Sequence, residues 1–323
     1  MSPSGEPPVI EVQHLVKRFG AFVSVDDLSL TVAPGEVFGL LGSNGAGKTT
    51  AIRMLCGLLT PTAGTARVLG FDVGRDPEAV KRRIGYMTQR FSLYDDLTVS
   101  QNIRFFGGVY GLRGRALAER ESWAMATAGL EGKADLLTRS LPGGWKQRLA
   151  LACSVLHGPK VLFLDEPTGG VDPISRRRFW NLIDAMAGEG VTIIVTTHYL
   201  DEAERCDRIA LMHAARLVAL GTVSELKEVF AGRALIEVSC PRVLEAQELL
   251  EREAWVLEAA VFGTRIHLVV ADAEAETCIR RARETLGASG FGPLAVERIL
   301  PSLEDVFIHC IEAEDAARAA ASA

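Results

Sequence analysis

The stretch GLLGSNGAGKTT, Gly39 to Thr50, restricts what this chain can fold into more than any other. Glycine loses more conformational freedom on folding than any other residue. Four of them in one short segment are tolerated only where the backbone turns sharply or approaches something closely. Ahead of them EVFGLL, Glu36 to Leu41, is an apolar run of strand length, and behind them TTAIRMLCGLL carries helical spacing through Ile52, Leu55, Leu58 and Leu59. Gly42, Gly47, Lys48 and Thr49 fit the pattern G-x-x-x-x-G-K-[ST]. In that pattern a strand feeds a loop of inward-pointing N–H groups and then opens a helix whose N-terminus faces phosphates. The expected ligand is a nucleoside triphosphate, bound by Gly42, Ser43, Asn44, Gly45, Ala46, Gly47, Lys48, Thr49 and Thr50. A glycine-rich turn without that task gives a similar short match, so other residues have to decide.

The 323 residues are too many for one ordinary domain and suit two. A net charge of −6 argues against a general nucleic-acid binder, whose footprint is basic, so no nucleic-acid partner is expected. The basic runs Arg176 to Arg178 and Lys81 to Arg83 read as solvated helix faces. Six cysteines stand singly, without the spacing of a metal site or a disulfide scaffold, and read as small core residues in a reducing compartment. MSPSGEPPVI lacks the charged start and apolar core of a signal peptide. No uncharged apolar stretch reaches the ~18 residues that span a bilayer, so work at a membrane requires another chain to supply the spans.

Apolar runs of strand length, VIEV, LSLTV, VFGLL, IGYM, VLFLD, VTIIVTT and RIALM, alternate with helical patterns at Val99 to Tyr110, Ala116 to Ala128, Trp145 to Leu156 and Ser175 to Ala187. This predicts an α/β domain with a largely parallel sheet over about the first 220 residues, interrupted by a helix-rich insertion from about 90 to 157. VLFLDEP, Val161 to Pro167, is a buried strand ending in two carboxylates, which is unfavourable beside a core unless a cation or a chemical task compensates. Asp165 can hold a magnesium-bound water, and Glu166 can polarise a water that attacks a γ-phosphate. His198 ends another strand, where its imidazole can reach that phosphate and that water, and Gln89 follows a strand and offers a neutral amide to magnesium. In SLPGGWKQRLALACSVL, Gly143 and Gly144 open an amphipathic helix, a second phosphate-binding geometry that one nucleotide does not need. Singly, Gln89 reads as a surface amide and His198 as a capping or core residue.

Taken in order, these stretches resemble the nucleotide-binding subunit of ATP-binding cassette (ABC) proteins. Across about residues 8 to 230 the P-loop, Q-loop, signature, Walker B, D-loop and H-loop motifs occur in that family's order. The resemblance implies a P-loop ABC ATPase domain at 9–230 with a helical subdomain at 90–157, and ATP and Mg2+ as cofactors. It implies two subunits, as a homodimer or heterodimer, that sandwich two ATPs head to tail, the P-loop of one and the signature of the other closing on the same γ-phosphate. By matched position Lys48 contacts the β- and γ-phosphates, Thr49 and Gln89 the magnesium, Asp165 the magnesium shell, Glu166 the catalytic water and His198 the γ-phosphate. Lys48, Gln89, Glu166 and His198 form the catalytic set. Phe19 in VKRFGAF stands where the family stacks an aromatic on adenine, although an isolated aromatic there reads as core, and Asp172 in GGVDP matches the aspartate that crosses the dimer interface. Trp145 and Tyr199 read as packing residues.

The signature departs from the family, with L-P-G-G-W at Leu141 to Trp145 in place of L-S-G-G-Q. Pro142 lacks the serine hydroxyl and a backbone N–H, so phosphate contact falls to the N–H groups of Gly143, Gly144 and Trp145 with the helix dipole, and proline suits a first helical turn. From Ala231 onward strands and helices follow the order β-α-β-β-α-β, a ferredoxin-like α+β accessory domain at 231–313, flanked by a disordered N-terminus at 1–8 and a flexible tail at 314–323. The C-terminal pattern PSLEDVFI resembles the ATPase subunits of bacterial type-2 (ABC-2) exporters. That resemblance implies an ATP-driven subunit, cytoplasmic and peripheral on the inner face of the membrane, that powers efflux of drugs, polymers or lipids through a separate ABC-2 permease. The alternatives are an ATPase acting on ribosomes or DNA, which the family builds with two cassettes in one chain or a long coiled-coil insertion, and an importer ATPase.

Overall fold

The computed structural model describes residues 6–89 and 93–322 and divides into two units, Met1–Thr222 and Val223–Ala323. The expected disorder at 1–5 lies outside the described residues, and Val9 already donates its N–H to the Val32 carbonyl at 2.9 Å.

The first unit holds two sheets rather than the one largely parallel sheet that the alternation predicts. A six-stranded sheet runs in the order β10 (Arg216–Gly221), β9 (Arg208–His213), β3 (Val37–Gly42), β8 (Thr192–Thr197), β7 (Val161–Asp165), β6 (Ile84–Met87), parallel except for β10. A separate antiparallel sheet runs β2 (Phe22–Val32), β1 (Ile10–Phe19), β4 (Ala63–Val68), β5 (Phe71–Asp72). The two classes are physically distinct. β3, β7 and β8 are buried along their whole length, as parallel strands covered on both faces must be. β4 exposes all but Ala66 and Val68, which is why its sequence carries no strand signal. Ile10, Leu40, Phe163 and Ile194 meet in a shared core, each worth about 1.5–3 kcal/mol by burial.

Five helices of the first unit bear on the site or its surroundings: α1 (Lys48–Leu55), α3 (Val99–Val109), α4 (Gly114–Ala128), α5 (Gly143–Ser154) and α6 (Pro173–Gly188). Two short ones are α2 (Pro77–Lys81) and α7 (Leu200–Ala203). From 93 to 157 the described residues form α3, α4, α5 and a single 3-10 turn, with one isolated bridge between Thr98 and Leu137. Thr98 opens α3 with a reciprocal capping box to Gln101, and Ile103, Leu130, Leu149 and Cys153 make a core for these helices. Residues 90–92 of the insertion lie outside the described residues.

The second unit begins with α8 (Val223–Lys227), so the boundary falls before Val223 rather than at 231. It continues β11 (Arg233–Ser239), α9 (Val243–Glu251), β12 (Glu258–Phe262), β13 (Arg265–Ala271), α10 (Ala275–Ala288), β14 (Ala295–Ile299). The sheet is antiparallel in the order β12-β13-β11-β14, the split β-α-β arrangement of the ferredoxin-like α+β class. α11 (Leu303–Ser322) corrects the expectation of a flexible tail from 314. Alanine-rich sequence favours helix, and Glu314 accepts from Arg318 at 3.0 Å one turn later, so the helix runs on.

Candidate nucleotide site

Sheet order assembles the site. β3, β8, β7 and β6 lie side by side and point the same way, with Leu41 opposite Thr197, Asp165 opposite Thr196 and Met87 opposite Leu164. Four chain exits therefore open along one edge: the glycine loop after β3, His198 after β8, Asp165–Glu166 at the end of β7, and Gln89 after β6. Ligands of open α/β sheets bind at that edge.

The exits enclose a cleft of about 580 Å³ lined by Asn44 to Thr50, Gln89, Glu166 and His198, joined by Phe22, Ser24, Gly169, Gly170 and Tyr199. Lys48 is 4 % exposed and donates to the carbonyls of Gly42 at 2.7 Å and Ser43 at 3.0 Å. Burial pulls its ammonium below the ordinary lysine value, against the opposing effect of Glu166, whose Oε1 lies 3.7 Å from Nζ. Glu166 also accepts from the Gln89 amide at 2.9 Å and stands 3.6 Å from His198 Nδ1. Asp165 is buried, which pushes its carboxyl up, while the hydroxyls of Thr196 at 2.8 Å and Thr49 at 3.0 Å donate to it and oppose that rise.

Two backbone features explain how the edge is held. Gly47 has φ of 103°, and a Cβ there would lie 2.3 Å from the Ser24 carbonyl oxygen; a Cβ on Gly42 would lie 2.3 Å from that of Met212. These two glycines are imposed by neighbouring protein backbone as well as by any ligand. Glu166 adopts φ of 46°, the left-handed region that costs a non-glycine residue on the order of 1–3 kcal/mol. Its N–H is fastened to the Thr196 hydroxyl at 2.9 Å, which holds the carboxylate facing Gln89, Lys48 and His198.

The remaining expected residues lie elsewhere. Phe19 is paired with Phe22 at the tip of the β1–β2 hairpin, and Phe22, not Phe19, is among the residues lining the cleft. Phe19 is exposed, with the Lys17 ammonium 5.1 Å from its ring. Gly143 and Gly144 open α5 and do not line the cleft of their own chain, and Asp172 caps α6 by accepting from the Ser175 N–H at 2.9 Å. Gly144 carries a packing requirement that no spacing could reveal: a Cβ there would lie 2.3 Å from Ser175 Oγ. Pro142 occupies the N-cap of α5, one position before the first turn, with φ −56° and ψ 151°. Tyr199 lines the cleft beside His198, with ring centroids 4.1 Å apart. In sequence it reads as a packing residue, because an aromatic after a histidine has no distinctive pattern that marks it as lining a cleft.

The donor set fits magnesium. It is a buried carboxylate, a threonine hydroxyl and an amide, all hard oxygens, and among the described residues no cluster of three or more His, Cys, Asp or Glu could hold a metal unaided. Magnesium is commonly bound that way, by one or two carboxylates plus substrate phosphates.

The ABC transporter domain family matches residues 25–169. A probable multidrug ABC transporter ATP-binding protein of Escherichia coli is 55 % identical over 219 residues, covering 68 % of this chain and 38 % of its own length, so this chain spans well under half of that relative. The daunorubicin/doxorubicin resistance ATP-binding protein of Streptomyces peucetius is 41 % identical, with 80 % of this chain and 77 % of that protein covered. Among solved structures, cbiO1 of Clostridium perfringens, part of the ABC transporter complex cbiONQ, aligns with a TM-score of 0.64 at 30 % identity, over 70 % of this chain and 94 % of that one. Among the described residues no helix is long and apolar enough to cross a membrane. With the motif order, the sheet edge and these relatives in agreement, the chain belongs to the ABC transporter family, as an ATP-binding cassette.

Proposed function

We propose that this chain is the ATP-hydrolysing subunit of an exporter, in which ATP-driven dimerisation of two cassettes drives a separate ABC-2 type membrane permease. The observation that carries the hydrolytic part is the convergence on Glu166 of Gln89 at 2.9 Å, His198 at 3.6 Å and Lys48 at 3.7 Å. In this reading the N–H groups of the 42–50 loop and Lys48 hold the triphosphate, Glu166 takes a proton from the attacking water, and His198 steadies that water against the γ-phosphate. Thr49, Gln89 and Asp165 would hold Mg2+, whose charge offsets that developing on the phosphate oxygens. Adenine would meet the aromatic hairpin tip that carries Phe19 and Phe22.

Gly143, Gly144 and Asp172 serve the nucleotide of the other subunit, which accounts for their absence from this chain's own cleft. Efflux is supported by the drug-resistance name of the Streptomyces relative and by Nod factor export ATP-binding proteins, 38 % identical over 93 % of this chain in the Rhizobium example. The subunit would then sit on the inner face of the membrane. The permease would dock on the insertion beside Gln89, where Tyr94 and Phe105 are exposed and meet edge to face at 4.7 Å, while Leu93 packs into the helical core.

The test is to purify the chain from membranes and identify the membrane protein that accompanies it, then measure ATP hydrolysis with and without that partner. A partner of multiple spans that stimulates hydrolysis, and is lost on Tyr94→Asp, supports the reading. Hydrolysis unaffected by any membrane protein removes the exporter assignment.

A further inference from the structure

Among the described residues the proposed mechanism leaves several buried charges unused, of which Glu202 is the most completely buried. Glu202, in α7, is 1 % exposed, and a carboxylate so placed is costly unless its oxygens are met. Two threonine hydroxyls meet them. Thr197 donates to Oε2 at 2.7 Å and Thr168 donates to Oε1. Arg176 supplies the countercharge, with Nε 3.4 Å from Oε1 and its guanidinium 4.1 Å from the Tyr199 ring, and its Nη1 is 3.6 Å from Asp201.

The three partners sit next to the working parts. Thr168 follows Glu166 by two residues and begins the loop to Asp172, its carbonyl accepting from the Val171 N–H at 3.1 Å. Thr197 immediately precedes His198, and its hydroxyl also accepts from the Tyr199 N–H at 2.9 Å, shaping the turn that presents the imidazole. Arg176 lies in the first turn of α6, its N–H bonded to the Asp172 carbonyl at 2.9 Å. One carboxylate thus joins the loop after β7, the turn after β8 and the start of α6.

We propose that Glu202 is a positioning residue that holds His198 and the 166–172 loop in fixed relation, so that Glu166, His198 and Asp172 move as one body when the site closes. The inference rests on the hydrolytic roles of Glu166 and His198 proposed above. A purely structural tie would lower stability and ATP affinity together with turnover; a positioning tie lowers kcat while leaving the P-loop, and hence ATP binding, alone.

The experiment compares Glu202→Gln, Thr168→Val, their combination and Thr168→Ser in the full chain, reading kcat, KM for ATP, ATP affinity and thermal midpoint, beside Glu166→Gln and His198→Ala. Glu202→Gln and Thr168→Val should each lower kcat about 10- to 150-fold, the range set by losing one hydrogen bond to a charged group, with ATP affinity within about twofold. The double variant should fall no further than either single, because both cut the same tie, and Thr168→Ser, which keeps the hydroxyl, should retain most of the rate. Normal turnover in Glu202→Gln and Thr168→Val, or losses of affinity and stability that track kcat, would overturn the positioning role. Normal turnover in Glu166→Gln and His198→Ala would instead remove the hydrolytic reading beneath it.

Discussion

Two glycine-rich helix starts in the first unit look alike in sequence and differ in construction. The loop into α1 is locked from within: Lys48 is buried and donates to two loop carbonyls, Gly47 stands at φ 103°, and a Cβ on either Gly42 or Gly47 would strike backbone. The turn into α5 is open at Gly143, which has nothing within 4 Å of an added Cβ, and Pro142 caps the helix without a side-chain hydrogen bond. Both helix starts offer N–H groups to an anion. Among the described residues only the first has a facing carboxylate, amide and imidazole in the same chain, which fits the proposal that the second is a half-site completed by another subunit.

The comparison is sharpest at Glu166. Replacing it by glutamine keeps its shape and removes the base, so hydrolysis should fall on the order of 10²-fold or more while ATP binding and nucleotide-trapped dimers persist. Gel filtration with ATP beside steady-state phosphate release reads both quantities. Near-normal phosphate release would mean that the first helix start is no more catalytic than the second.

Lys48→Ala comes next. It removes a charge-assisted phosphate contact, and equilibrium titration should show ATP affinity lowered roughly 10- to 100-fold. The buried ammonium also fastens the loop carbonyls, so the folded baseline has to be checked by circular dichroism before affinity is compared. Unchanged affinity would break the reading of the α1 loop as the phosphate cradle.

The second helix start is probed best at Gly143, not Gly144. Gly144→Ala already drives a Cβ into Ser175 and disturbs the packing of α5 on α6, so a loss there reports on folding. Gly143→Asp has open space in this chain and places a negative charge where a partner's phosphate would approach; hydrolysis should fall about tenfold through failed dimerisation, with ATP affinity intact. Dimerisation and turnover unchanged in Gly143→Asp would mean that α5 does not face a phosphate.

What was legible followed from burial. VLFLD and TIIVTT lie in strands covered on both faces and announce themselves as apolar runs, and the motif residues at their ends came with them. The antiparallel sheet was only partly legible, because β4 buries two side chains of six. Tertiary features left no local mark. The left-handed Glu166 depends on Thr196 one strand away, and the Glu202 tie joins residues 34 positions apart at Thr168. Phe22 reaches the cleft because the hairpin register sets it opposite Phe19, which spacing from the P-loop alone cannot resolve.

The smallest effect is expected at Pro142, and it separates local stability from catalysis. As the N-cap of α5, proline offers its carbonyl to the N–H groups of Trp145 at 2.9 Å and Lys146 at 3.1 Å, but it has no side-chain acceptor for the free N–H groups of the first turn. Serine at that position supplies one, and a good N-cap is worth about 0.5–2 kcal/mol against a side chain that cannot cap. At this size a gain of about 1 kcal/mol moves the thermal midpoint by about 2–4 °C if the first unit melts cooperatively. The hydroxyl can accept from the helix's own N–H groups with its lone pairs and donate its proton to a phosphate across the dimer interface, and the midpoint and the hydrolysis rate tell which use dominates. If capping claims it, Pro142→Ser should raise the midpoint and leave hydrolysis within about threefold of the parent. A clear rise in hydrolysis at an unchanged midpoint would show that the phosphate claims it, and that α5 had been working without a contact it is built to make.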